Sequence, residues 1–169
     1  MNISRAEVVQ TDAVMNQLRN AIYHIARLIK RNQKLDVSER LRNMGKNISR
    51  TFVNYWKPID LVNQSNVKDF LTTLYQKVVN SSISIEVDDN NKLIKIKDAK
   101  CALCKYRYDD VNIAGCEILL GLVSEFIFLI NKDTEDSSAI FLEPYKIEAS
   151  RALGNDFCVQ IFKFKIGKK

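Results

Sequence analysis

The sequence predicts an α+β fold in which a layer of about four helices packs on an antiparallel sheet of about four strands. Three observations carry that expectation. Apolar residues recur at three- and four-residue steps through the first 80 positions, the period drops to two between Ile83 and Ile96, and an apolar helical run at 113–130 precedes strand-like closing segments. With 46% hydrophobic residues, five glycines and two prolines among 169 residues, the apolar material suffices for one core. Residues 1–169 are therefore expected to form a single domain, with a mainly helical half over 1–80. The remainder, 81–169, would hold a hairpin, a cysteine loop, a core helix and the C-terminal strands.

Each element has its own signal. Thr11 or Asp12 is able to cap a first helix, along which Val14, Leu18, Ile22, Ile25, Leu28 and Ile29 form an apolar stripe ending near Arg31. A second helix starts after Asp36 or Ser38 and places Val37, Leu41, Met44, Ile48, Phe52 and Tyr55 on its buried face. It ends around Trp56, because Pro58 forbids continuation. Gly45 and Ser49, one turn apart, cost helix propensity but let another backbone approach closely. Asn66 opens a third helix that buries Val67, Phe70, Leu71, Leu74, Tyr75 and Val78 and closes at Ser81 and Ser82. Ile83, Ile85 and Val87, a polar turn at 88–91, and Ile94 and Ile96 alternating with Lys95 and Lys97 then read as an antiparallel hairpin.

A polar connector over 98–111 leads into the core helix, whose Ile118, Leu119, Leu122, Phe126 and Leu129 share one side. Extended pieces are expected around 139–142 and 145–149, with a turn at Gly154, Asn155 and Asp156 and a final strand over 157–166. On that strand Lys163 and Lys165 alternate with Phe162, Phe164 and Ile166, as on a half-solvated sheet.

Charge and targeting bound the function. Residues 1–57 carry eleven basic side chains against four acidic ones, within a net charge of +6. Arg27, Lys30, Arg31 and Lys34 are the candidates for a nucleic-acid surface, although a basic run is more often a solvated helix face. The first residues lack the basic-then-apolar order of a secretion signal and no apolar run is long enough to span a bilayer, so a cytoplasmic location is the expectation. His24 is the only histidine, and its neighbours Ile22 and Ile25 predict a partly buried position. There is no H-E-x-x-H, G-x-S-x-G or P-loop pattern, and Asp109 and Asp110 read as solvated loop acids, so side-chain catalysis is not expected.

The cysteines are the strongest chemical signal. Cys101 and Cys104 form a C-x2-C pair leaving a predicted strand, a spacing that lets two thiolates in a tight turn share one tetrahedral ion. Cys116 follows at the start of the core helix, where free amides favour thiolate, and Cys158 on the last strand completes four sulfur ligands. In a reducing compartment, structural zinc ranks ahead of disulfides. The competing reading makes these cysteines small buried apolar residues. For a small-molecule pocket, Phe52, Trp56 and Phe126 supply apolar surface and Tyr106 and Tyr108 mixed contacts, with core packing as the simpler role of each.

Three segments, Cys101-Ala-Leu-Cys104, Gly115-Cys116-Glu117 through Gly121, and 148–158 ending in Asp156-Phe157-Cys158, resemble the 4-vinyl reductase (hydrocarbon-binding) domain family. That family shares its fold with small subunits of the TRAPP vesicle-tethering complex. The resemblance implies zinc held at the positions of Cys116 and Cys158, a further cysteine where this chain has Ser150, and a glutamate near Ile147 or Glu148. Since serine is a poor zinc ligand, Cys101 and Cys104 are its natural replacements. The resemblance further implies a zinc-stabilised binder of an apolar small molecule, with a TRAPP-like scaffold that dimerises through the N-terminal helices as the alternative. The family name alone would suggest a reductase, but no glycine-rich dinucleotide fingerprint is present.

Overall fold

A computed structural model describes residues 5–32, 36–58 and 61–167 of the chain. Helices α1 (Arg5–Arg31), α2 (Val37–Phe52) and α3 (Val67–Val79) precede strands β1 (Ile83–Asp88) and β2 (Leu93–Asp98). Helix α4 (Glu117–Asn131), β3 (Ile140–Ala149) and β4 (Cys158–Ile166) follow. The four strands form one antiparallel sheet in the order β1-β2-β4-β3. The α+β arrangement of four helices and four strands is the expected one. Among the described residues no helix is long and apolar enough to cross a membrane.

The elements begin and end where local chemistry dictates. Asp36 caps α2 by accepting hydrogen bonds from the Ser38 and Glu39 amides, which satisfies donors that a helix start leaves open. Asn80 ends α3 in a left-handed conformation, a role asparagine tolerates better than branched residues. Helix α1 runs back to Arg5, so it starts well before Thr11 or Asp12. The two extended pieces around 139–149 are one strand whose pairing with β4 slips at Pro144/Lys146 and again at Ile147/Ala149. Proline cannot donate to a ladder, and β3 tolerates Pro144 because it is an edge strand.

Helices α2 and α4 form the tightest contact. A methyl at Gly45 would run into the Ile118 carbonyl and one at Gly121 into the backbone of Arg42, so each glycine admits the other helix's main chain. Ser49 Oγ donates to the Leu122 carbonyl at 2.5 Å. Flanking this seam, Arg42 pairs with Glu117 at 2.7 Å and Arg50 with Glu125 at 2.8 Å. Helix α4 buries Ile118, Leu119, Leu120, Leu122, Val123, Phe126 and Ile127. At its far end the buried Asn131 side chain accepts from the Val62 amide and donates to the Val62 and Ile140 carbonyls, tying the chain before α3 to β3.

Two helices turn a different face inward from the one their apolar pattern suggests. On α2 the buried residues are Leu41, Gly45 and Ser49, whereas Ile48 and Tyr55 of the expected stripe are exposed. On α1 the chain buries Arg19, Ile22, Tyr23 and Ala26, while Val14, Leu18 and Leu28 stay 44–56% exposed. Helical period identifies an apolar face without saying what covers it. On α1 nothing among the described residues covers the outer positions Val14, Leu18 and Leu28.

Candidate metal centre

Three element ends bring the four cysteines to one end of the sheet. Past the end of β2, Cys101 and Cys104 bracket a single turn of 3-10 helix (Ala102–Cys104), closed by a 3.2 Å bond from the Cys104 amide to the Cys101 carbonyl. Cys116 sits at the N-cap of α4, and Cys158 opens β4 directly across from Asp98 of β2. All four side chains are buried, and their sulfurs lie within 4.8 Å of one another. Sulfurs around one tetrahedral ion bonded at about 2.3 Å stand roughly 3.8 Å apart, so the cage suits a mononuclear site after a small contraction. A multi-iron cluster hangs its thiolates from separate iron atoms and needs a wider cage. Four buried, mutually adjacent thiols thus form a group able to hold a metal ion.

The sulfurs are electrically unequal. Cys104 is held well below the usual thiol range because the Cys101, Cys116 and Cys158 side chains hydrogen-bond to it. Cys158 is lowered too, chiefly by its bond with Cys101. Cys101 and Cys116 are pushed up, Cys101 mainly by its bond to Cys104 and Cys116 mainly by its bond to Cys101. Burial, followed by the charge on Cys104, raises the Tyr23 hydroxyl, and burial likewise raises Tyr75. Four buried thiols this close oppose the ionisation of more than one of them, a conflict that a divalent cation would relieve.

The surroundings support the sulfurs. The Arg151 amide donates to Cys158 Sγ at 3.4 Å, and Ser150 Oγ stands 3.8 Å from the same sulfur. Ser150 thus adjoins the cage, with its oxygen where the resembled family would place a sulfur. Glu148 does not: it is exposed and pairs with Lys95 and Lys146 on the outer face of the sheet. Asp98 is fully buried, accepts from Ser81 Oγ and the Lys100 amide, and is raised above the ordinary carboxylate range by burial.

Tyr23 and Arg19, both on α1, were not legible as site residues because they flank the apolar stripe. The Tyr23 hydroxyl accepts from the Gly115 amide at 3.1 Å and hydrogen-bonds to Cys104. A methyl at Gly115 would meet Leu103 O at 2.8 Å and the Tyr23 hydroxyl at 3.1 Å, so glycine is what lets α1 reach the cage. Arg19 Nη1 donates to the Ala102 carbonyl, between the paired cysteines.

The five candidate pocket residues fall into two separate groups. Phe52, Trp56 and Phe126 join Phe70 in a stack with ring centroids 5.5–6.1 Å apart, filling the space between α2, α3 and α4 with one another. Tyr106 and Tyr108 lie instead against α1, under Arg19 and stacked on Tyr23 respectively. Among the basic candidates, Arg27 pairs with Asp110 through both its Nε and Nη2, Lys30 donates to the Asp110 carbonyl, and Arg31 is exposed. Lys34 lies outside the described residues. His24 is exposed rather than partly buried.

No family model and no curated protein matches the sequence. Among solved structures, the chain is similar to trafficking protein particle complex subunit 3 from Naegleria fowleri, whose structure carries covalently bound palmitic acid. The two superpose with a TM-score of 0.63 at 8% identity, over 93% of this chain and 99% of that one. The chain has the fold of a TRAPP subunit. Identity that low speaks for architecture alone, and the narrower expectation of a 4-vinyl reductase domain rests on the sequence segments without support from a family model.

Proposed function

We propose that this chain is a TRAPP-subunit-like scaffold, one domain held together partly by a structural zinc ion and associating with a second copy through the outer faces of α1 and α2. The observation that carries the reading is the apolar surface those helices leave uncovered. Val14, Leu18 and Leu28 on α1, Ile48 on α2 and Tyr55 just past the end of α2 are between 44% and 83% exposed. A monomer gains nothing from displaying such a patch, whereas a protein interface does. The shared fold with a complex subunit over nearly its whole length agrees. Cys101, Cys104, Cys116 and Cys158 would supply four thiolates to zinc, a closed set with no position left for water, so the ion stabilises rather than catalyses.

The small-molecule reading has less behind it. The aromatic residues that would line a pocket pack against one another, and all four cysteines of the chain belong to the sulfur cage, so no thiol is left to carry an acyl group. Sedimentation and native mass spectrometry test the scaffold reading. A dimer that Leu18→Glu or Ile48→Glu converts to folded monomer is expected; a wild-type monomer at micromolar concentration would overturn it. One zinc per chain, lost in Cys104→Ser, is the expected metal content.

A further inference from the structure

The inner face of α1 is seated mainly on the loop that carries the cysteines. Arg19 donates to Ala102 O at 2.9 Å, and Tyr108 donates to Asn20 at 3.1 Å. The Tyr23 hydroxyl takes the Gly115 amide while its ring stacks on Tyr108 at 4.2 Å. Arg27 and Lys30 both hold Asp110. These partners all fall within residues 102–115, between Cys101 and Cys116.

That loop has little internal structure of its own. Apart from the 3-10 turn at Ala102–Cys104, its backbone closes on itself through isolated bonds such as the Val111 amide to Tyr108 O at 3.2 Å. Leu103, Val111 and Ala114 turn it into the core, and its two ends are pinned. Both pins are sulfurs of the cage, Cys101 and Cys104 before it and Cys116 after it. The packing of α2 on α4 and the strand ladders use none of them.

From this arrangement we infer that the metal ion is a latch for α1: with the ion bound, the loop is held in the one shape that seats the helix, and without it α1 leaves while the α2–α4–sheet body stays folded. This rests on the zinc reading of the cage, and it makes association through α1 depend on metal. Reciprocity follows, because whatever the ion contributes to seating α1, a seated α1 contributes to binding the ion.

Hydrogen exchange followed by mass spectrometry on the full reduced chain, with zinc and after removal by a chelator, tests the latch. Metal analysis before and after separates its failure from that of the zinc reading, since a chain that takes up no zinc sinks the latter directly. With zinc taken up, removal is expected to raise exchange across residues 15–31 by about 100-fold or more while 41–52 and 118–130 change little. Unchanged protection of α1 would overturn the latch, and so would collective loss over every segment, which makes the ion a staple of the whole fold. A second arm needs no metal-free protein. In the zinc-loaded Arg19→Met/Arg27→Ala variant, which touches no sulfur, competition against a chromophoric chelator should show zinc affinity reduced by about tenfold. Affinity equal to wild type would count against the proposal.

Discussion

Replacing Gly45 by alanine is the sharpest test of how α2 meets α4, because general helix chemistry and this structure predict opposite signs. In an exposed helix the change stabilises by roughly 1 kcal/mol, through lower chain entropy and better propensity. Here the new Cβ would lie 2.7 Å from Leu122 N and nearer still to the Ile118 carbonyl oxygen, inside the 3.0 Å that real Cβ contacts respect. The obstacle is backbone, so no side chain can rotate away, and the helices must part by roughly 1 Å. Parting stretches the 2.5 Å bond from Ser49 to the Leu122 carbonyl toward its limit, a loss of about 1 kcal/mol, and opens the packing around it. Overpacking of this kind costs about 1–3 kcal/mol, so with the weakened bond added and the propensity gain subtracted the net loss is about 1–3 kcal/mol. For a chain of this size that lowers Tm by roughly 2–12 °C. Urea unfolding of Gly45→Ala beside the exposed control Thr51→Ala reads it out. Gly121→Ala should lose a similar amount, and the double variant less than the sum, since one separation relieves both clashes. If Gly45→Ala were as stable as wild type, the close approach of the two helices would be wrong.

The cage makes zinc affinity depend on pH with a definite sign. Cys101 and Cys116, whose thiols are raised, still hold protons near neutrality, and a metal ion would have to displace them. Affinity should therefore rise with pH between about 6.5 and 7.5, measured by chelator competition, and a flat or falling profile would contradict the proton arrangement. Arg42→Met leaves the Glu117 carboxylate, 7% exposed, without its partner and is expected to cost about 3 kcal/mol in urea unfolding. Adding Glu117→Leu should return most of that loss. Asn131→Leu removes three hydrogen bonds and strands the Val62 amide, while the Val62 carbonyl keeps the Ile140 amide, so a loss of about 2 kcal/mol is expected; under 1 kcal/mol would mean water replaces the side chain.

What could be read from the sequence follows the reach of each signal. Hairpin β1–β2 and helix α3 were legible because alternation and three-four spacing act over a few residues and both elements obey them along their length. The face of α2 was not, since Gly45 and Ser49 carry little hydropathy and their importance lies in distance to another backbone. Strand β3 looked like two pieces because Pro144 breaks the local pattern, while pairing with β4 carries the strand past it. The C-x2-C pair stood out by spacing. Cys158, 54 residues beyond Cys104, reaches the same point only through the register that sets it opposite Asp98. Tyr23 and Arg19 had no such marker, for a hydroxyl aimed at a sulfur 81 positions away leaves no periodic trace.

These uneven signals bear on what the ion holds. Strands β2, β3 and β4 are already joined by ladder bonds, and α4 is fixed at one end by Asn131 and along its length by the glycine notches facing α2. An added link among elements so constrained removes little further freedom, because the entropy of bringing them together is already spent. The loop over 101–116 and the helix seated on it lack that redundancy. Of the polar contacts between them, Arg19 to Ala102 and Tyr23 to Gly115 are at least partly buried, whereas Arg27 to Asp110 joins exposed or half-exposed partners, a kind of pair worth little in water by itself. The free energy of filling the cage would therefore fall mostly on the least constrained part of the chain, and that part carries the apolar face through which two copies would meet.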